Sequence, residues 1–241
     1  VQTARILERY EAILIEHRPG AVIVIGDVNS TEACTLAAAK LGIFTVHLEA
    51  GLRSFDRGMP EELNRMVTDV LVDLLWTPSP DGDDHLRAMG VPEERIDRVG
   101  NIMIDTLVSM LPSVEAKEHW RMYGVPHHGY AVVTLHRPSN VDQPEVLLGI
   151  LDLLLDQAQS LPMVWPLHPR TRARIEALGR LDELEAAPGL HLTPPLGYLE
   201  FMSCVASSRC VITDSGGIQE ETTWLGVPCL TLRPNTERPI T

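Results

Sequence analysis

Three carboxylates, Asp27, Glu49 and Glu61, lie within residues 22 to 65, where VIVIGD leads through STEACTLAAAKLGI to HLEAGLRS and then PEELNR. Each falls where the chain leaves an apolar, β-branched run or enters a helix, and open α/β sheets bind ligands outside the carboxyl ends of their strands. Carboxylates at such an edge suit proton transfer, so acid/base chemistry is the first expectation. Glu49, flanked by Ala50 and Gly51 at the end of an apolar run, needs a partner or a perturbed proton affinity. Plainer roles compete. Asp27 also reads as a helix cap, and Glu61 and Glu62 as first-turn acids, with Glu61 able to pair with Arg65 four residues on.

The second half carries a different set. His136 ends the strand-like YAVVTLH and precedes Arg137, which places a titratable imidazole and a permanent cation where a phosphate ester can meet them; a histidine capping a strand end is the even alternative. His168 in PLHPR has the same position one strand over. His127 and His128 fall in an interdomain segment and read as exposed, and His85 reads as part of a polar helix face. In DSGGIQEE, residues 214 to 221, a strand end runs into a helix. Gly216 and Gly217 permit close backbone approach, the free N–H groups and helix dipole favour a diphosphate, and Glu221 can accept from ribose hydroxyls. The same glycine pair also reads as an ordinary tight turn. Neither G-x-G-x-x-G nor G-x-x-x-x-G-K-[ST] occurs, which disfavours NAD binding and P-loop hydrolysis.

These residues need elements to hold them. AVIVIG reads as a buried parallel strand, followed by a helix capped by Asn29 or Ser30, with Glu32 in its first turn and Gly42 past its end. IFTVHLE reads as a second strand with His47 and Glu49 on one face. Pro60 opens a helix whose Leu63, Met66, Val67, Val70, Leu71 and Leu74 recur at helical spacing and predict its buried side. LLWTPSP and RIDRVGN supply two more strands. After the separator LPSVEAKEHWRMYGVPHHG, the strands YAVVTLH, PMVWPLH, GLHLTPP, CVITDS and VPCLTL alternate with helices near 144 to 159, 171 to 179, 198 to 206 and 218 to 225. Such alternation predicts parallel sheets with right-handed crossovers. The fold class is α/β, with two Rossmann-like domains at 1–118 and 119–241.

Composition narrows the partners. A formal charge of −13 on 241 residues argues against a nucleic-acid backbone. No apolar run reaches the length of a membrane span, and nothing resembles a signal peptide. Cys34, Cys204, Cys210 and Cys229 form no C-x-x-C pair and sit in apolar surroundings, which reads as buried reduced thiols of a cytoplasmic protein rather than zinc ligands. The chain lacks an initiator Met, opens inside a helix-like VQTARILERYEAILIEH and stops at Thr241 soon after VPCLTLR, so both ends read as cut.

Taken in order, GDVNST, HLEAGLRS, PEELNR, VGN, TLHRPSNVD, PLHPR, ITDSGGIQEE and TERP closely resemble the UDP-N-acetylglucosamine 2-epimerase family, particularly its non-hydrolysing bacterial branch, from about Val22 to the C-terminus. The resemblance implies a GT-B fold whose two domains face a central cleft, a UDP-sugar substrate, no cofactor and no metal, and a homodimer. It implies interconversion of UDP-N-acetylglucosamine and UDP-N-acetylmannosamine through UDP elimination and a 2-acetamidoglucal, which supplies precursor for cell-surface polysaccharide. Such chemistry needs a base and an acid on opposite sugar faces and charge stabilisation for the diphosphate. Asp27, Glu49 and Glu61 match the family's essential carboxylates and His136 its histidine near the diphosphate. Ser215, Gly216 and Gly217 match the phosphate cradle and Glu221 the ribose contact. Leu196 and Phe201 fall where uracil is held. Arg65, Arg137 and Arg238 are further expected ligand contacts. A hydrolysing 2-epimerase, a GT-B glycosyltransferase and an inactive UDP-sugar-binding fragment are the alternatives. The family's N-terminal strand with its G-T-R-P-E-like loop, and its C-terminal helices, are missing from the sequence.

Overall fold

The computed structural model describes residues 2–233 and 236, and its main body falls into two compact units that divide between residues 102 and 103. The first unit contains α1 (Gln2–His17), β1 (Ala21–Ile25), α2 (Asn29–Lys40), β2 (Phe44–Leu48), α3 (Pro60–Leu71), β3 (Leu74–Thr77), α4 (Pro80–Ala88) and β4 (Ile96–Arg98). Its four strands are parallel and ordered β1-β2-β3-β4. α2 ends as expected, with Gly42 in the left-handed region at φ +69°, but the residue before its first turn is Val28 and no side chain caps it.

Three expectations fail here for physical reasons. β1 is not buried throughout: it is the last strand of its sheet, and while Val22 and Val24 face the core, Ile23 and Ile25 are 54% and 56% exposed. Glu49 does not share a strand face with His47, because β2 ends at Leu48 and Glu49 turns into the left-handed region at φ +74°. Most unexpectedly, α3 faces the other way. Its buried side chains are Glu62, Asn64, Arg65, Thr68 and Asp69, whereas Leu63, Val67 and Val70 are exposed. Periodicity locates the helix, but polar groups that find partners inside the unit outweigh apolar ones in choosing its inner face.

The second unit holds α5 (Ile102–Lys117), β5 (Ala131–Thr134), α6 (Pro138–Val141), α7 (Pro144–Ala158), β6 (Met163–Pro166), α8 (Pro169–Ala177), α9 (Leu181–Ala186), β7 (Leu190–Thr193), α10 (Tyr198–Ala206), β8 (Cys210–Thr213), α11 (Gly216–Leu225) and β9 (Cys229–Thr231). The parallel order is β7-β6-β5-β8-β9, a doubly wound sheet whose direction reverses between β5 and β8. Successive strand residues face opposite sides. Ala131, Val133, Met163 and Trp165 therefore enter one core with Leu147, Leu151 and Ile175, while Val132, Val164 and Val211 enter another with Tyr130 and Met202. That second core also takes Leu107 and Val114 of α5, so the units divide after Ile102 rather than at 118. Pro112 and the nearby charges give this stretch the composition of a linker, yet the helix runs through it.

The four thiols are unpaired, as expected, but only Cys204 is buried; the other three are partly exposed. Among the described residues no helix is long and apolar enough to cross a membrane.

Gly51 and Gly42 separate two demands on glycine. Both have positive φ, at +80° and +69°, but a Cβ on Gly51 would lie 2.3 Å from the Gly82 carbonyl oxygen, whereas one on Gly42 would meet nothing within 4 Å. Gly42→Ala should cost about 1 kcal/mol from backbone conformation alone. Gly51→Ala should cost at least about 2 kcal/mol more through overpacking, measured by denaturant unfolding. Equal losses in the two variants would show that the 50–51 and 82 segments are not held together.

Candidate active site

In the first unit the expected residues gather at the carboxyl ends of β1 and β2. The Asp27 side chain is 29% exposed and its Oδ2 accepts from Arg65 Nε at 3.0 Å. Asp27 and Glu61 line one cavity of about 420 Å³, together with Asn29, Ser30 and Asn64. Glu49 follows β2 directly, and its Oε2 lies 3.9 Å from where a Cβ on Gly26 would be. The glycine before Asp27 thus adjoins the Glu49 carboxylate.

Arg65 is 1% exposed; its Nε donates to Asp27, its Nη1 to Glu62 Oε2 at 2.7 Å and to the Leu52 carbonyl at 3.3 Å, and its buried Nη2 has no hydrogen-bond partner. It holds Asp27, and its partner within α3 is Glu62. Glu62 in turn accepts from the Ser54 amide and hydroxyl at 2.8 and 2.9 Å, which fixes the loop after Glu49.

In the second unit the site forms at the switch point. The register pairs Thr134 with Thr213, which brings the residues that follow them, His136 and Asp214, side by side. Asp214 is fully buried, with its Oδ1 3.0 Å from His136 Nδ1. It also accepts from the Arg137 amide at 2.8 Å and from Asn140 Nδ2 at 3.1 Å. Burial would raise the Asp214 carboxyl, but the hydrogen bonds from His136, Arg137 and Asn140 outweigh it and hold the group below the usual aspartate range. With Nδ1 committed to Asp214, His136 keeps Nε2 for a ligand, on a side chain 36% exposed. His168 lies one strand over, its ring 5.8 Å from that of His136, and its Nδ1 accepts from the Arg170 amide at the start of α8.

Ser215 is the residue before α11, and Gly216 and Gly217 open that helix. A Cβ on Gly217 would lie 2.7 Å from Met103 Cε, so glycine here also lets α11 pack against α5. Glu221 is 4% exposed and accepts from the Tyr198 hydroxyl at 3.0 Å; its burial pushes the carboxyl up. Leu196 and Phe201 are half-buried against the core that contains Tyr130 and Met202. Arg238 lies outside the described residues. Asp214, Arg53 and Asp69 are not singled out by the sequence, and Glu62 is read there only as a first-turn acid. For Asp214 a signal exists, since a carboxylate ending the apolar CVIT strand must find donors on the neighbouring strand end.

A doubly wound sheet with an anchored imidazole and a glycine-led helix start at its switch point defines a Rossmann-like, nucleotide-binding class of enzyme. The chain belongs to the UDP-N-acetylglucosamine 2-epimerase family, whose sequence profile matches residues 1–241. It is 39% identical to the UDP-N-acetylglucosamine 2-epimerase of Methanocaldococcus jannaschii over 245 aligned residues, covering 100% of this chain and 67% of that one. It is also 39% identical over 239 residues to the UDP-2,3-diacetamido-2,3-dideoxy-D-glucuronate 2-epimerase of Pseudomonas aeruginosa, covering 98% of this chain and 64% of the relative. The crystal structure of the M. jannaschii UDP-GlcNAc 2-epimerase in complex with UDP-GlcNAc and UDP superposes with a TM-score of 0.90 at 38% identity, covering 100% of this chain and 67% of that one. The fold is of the GT-B type, and the chain spans about two thirds of the length of these relatives.

Asp69 and Asp214 both have native carboxyl affinities below the ordinary value. Between the unfolded and native values the unfolded chain binds more protons. Their stabilisation is therefore complete above about pH 4 and is lost as pH falls through the depressed native values. Asp214→Asn should remove about 2–4 kcal/mol at neutral pH, because the donors of His136, Arg137 and Asn140 lose a buried charge, and should flatten the acid limb of the stability curve. Unfolding of both proteins by urea across pH 2 to 7, a range of about five units around the carboxylate values, measures this.

Proposed function

We propose that the protein catalyses reversible C2 epimerisation of UDP-N-acetylglucosamine to UDP-N-acetylmannosamine, by elimination of UDP to a 2-acetamidoglucal and its re-addition. The observation that carries this reading is the His136–Asp214 pair beside the Ser215–Gly216 helix start, within a family whose structurally similar member was crystallised with UDP-GlcNAc and UDP. In this reading the second unit binds UDP: helix N–H groups and His136 meet the diphosphate, Glu221 the ribose, and Leu196 and Phe201 the base. Burial raises the affinity of Glu221 for a proton, and its Oε1 already accepts from the Tyr198 hydroxyl. The first unit supplies Asp27, Glu49 and Glu61, from which one group takes the C2 proton and another returns a proton to the opposite face. The protons balance, and UDP is both the leaving group and the returning nucleophile.

The 2,3-diacetamido glucuronate relative is as similar as the N-acetylglucosamine ones, so the sugar carried by this enzyme is best tested with both UDP-sugars. We further propose that the enzyme works as a cytoplasmic homodimer and feeds cell-surface polysaccharide synthesis. The exposed Leu63, Val67 and Val70 of α3 form an apolar strip that a second copy would cover. Val70→Asp should then shift sedimentation toward monomer.

Incubation of the intact enzyme with UDP-N-acetylglucosamine in D2O should place deuterium at C2 while the UDP-sugar pool is conserved. Release of free N-acetylmannosamine would indicate a hydrolysing enzyme, and sugar transfer without C2 exchange a glycosyltransferase. Replacing Asp27, Glu49 or Glu61 by its amide should lower turnover about a hundred-fold or more and leave UDP binding intact. Near-normal turnover in all three variants would sink the assignment.

A further inference from the structure

Behind the carboxylate loops of the first unit lies a set of buried charges that the proposed chemistry does not itself use. His47, Arg53 and Asp69 are 0%, 5% and 0% exposed. Asp69, from the inner face of α3, places Oδ1 2.6 Å from His47 Nδ1 and Oδ2 2.6 Å from Arg53 Nη2. Asp69 Oδ2 also accepts from the Gly51 amide at 3.2 Å. The other imidazole nitrogen, Nε2, lies 2.8 Å from the Gly26 carbonyl oxygen.

A carbonyl oxygen only accepts, so Nε2 must donate; an ionised carboxylate only accepts, so Nδ1 must donate as well. Burial alone would raise the Asp69 carboxyl, but the hydrogen bonds and charges of His47 and Arg53 hold it below the usual range, which makes it the anion. An imidazole with two N–H groups is a cation. We propose that His47 is a buried imidazolium, a positioning residue whose two N–H groups tie the Gly26 carbonyl to the Asp69 carboxylate. The tie joins two loops. Gly26 immediately precedes Asp27, and Asp69 holds the amide of Gly51, two residues beyond Glu49. Glu49 has a left-handed backbone, which persists only when its surroundings fix it. Sealed from solvent, His47 touches no substrate and exchanges no proton with one.

The positioning role rests on the epimerase reading, but the imidazolium does not, and two measurements separate them. Long-range proton–nitrogen NMR of the intact protein labelled with 15N-histidine should show one imidazole, identified by its contacts with Gly26, with both nitrogens protonated in the folded protein at neutral pH. A single protonated nitrogen there overturns the proposal, whatever the activity. In the second measurement, His47→Gln, which keeps one donor, should lower kcat by about ten- to a hundred-fold, the scale of a small misplacement of reacting groups. KM and UDP affinity should stay within about two-fold, because ground-state binding is untouched. Unchanged kcat in the folded variant overturns the positioning role. If the variant does not fold, the parent's NMR signature still decides whether the imidazolium exists. If the parent exchanges no deuterium at C2, it is the epimerase reading that fails.

Discussion

The polar inner face of α3 is the constraint on which the first unit depends. A buried charge without a partner costs several kcal/mol, so Glu62, Arg65 and Asp69 can face inward only if the rest of the unit answers each of them. It does so with side chains and backbone from β2 and the loops after β1 and β2: Asp27 and Leu52 for Arg65, Ser54 for Glu62, and His47, Arg53 and Gly51 for Asp69. The loops take their conformations from these answers. That explains why an unfavourable backbone at Glu49 and a glycine pressed against the 82 carbonyl both survive at this edge. The apolar core of the unit, built on Val22, Val24, Val72, Leu75 and Leu86, sits elsewhere and does not define the site.

The second unit reaches an ordered site with far less buried charge. Apolar clusters on both faces of its sheet supply the stability, and one carboxylate, Asp214, sits where the strand order reverses. Neighbouring strand ends diverge at a switch point and leave backbone amides without ladder partners. Asp214 takes two of these, from His136 and Arg137, along with the Asn140 amide group and the imidazole. One side chain therefore sets the loop backbone and the ring at once.

Much of this is legible in the sequence, and the failures share a cause. Alternating strands and helices, the parallel sheets, Pro60 as a helix start, and the placement of Asp27, Glu49, His136 and Ser215 just beyond strand ends all follow from spacing and residue type. Spacing finds α3 but turns it the wrong way, because hydrophobic periodicity assumes that polar groups gain more from water than from each other. Where carboxylates and guanidinium groups complete one another's hydrogen bonds, that assumption fails. Arg65 illustrates the point: it is a buried cation that holds Asp27 and Glu62 from the inner face of the helix. Arg53 and Asp69 stay invisible because their importance lies in partners distant in sequence, and α5 because a proline and several charges resemble a linker. The family resemblance supplies roles for individual residues that spacing alone leaves open between chemistry and ordinary capping.

The two edges balance charge in opposite senses. In the first unit the acids are held by buried basic side chains, Arg65 directly on Asp27, and His47 and Arg53 through Asp69. In the second, a buried acid backs an imidazole, and the helix starts of α8 and α11 point backbone N–H groups toward the same edge of the sheet. A chain with a formal charge of −13 has no long-range attraction for a diphosphate. Whatever affinity it has must come from short-range donors fixed in advance. Helix N-termini suit that task, because their partial charge is part of the backbone and is not neutralised by the acidic surface. Asp214 strengthens the arrangement by holding His136 in one orientation, so that little ordering remains to be done when an anion arrives.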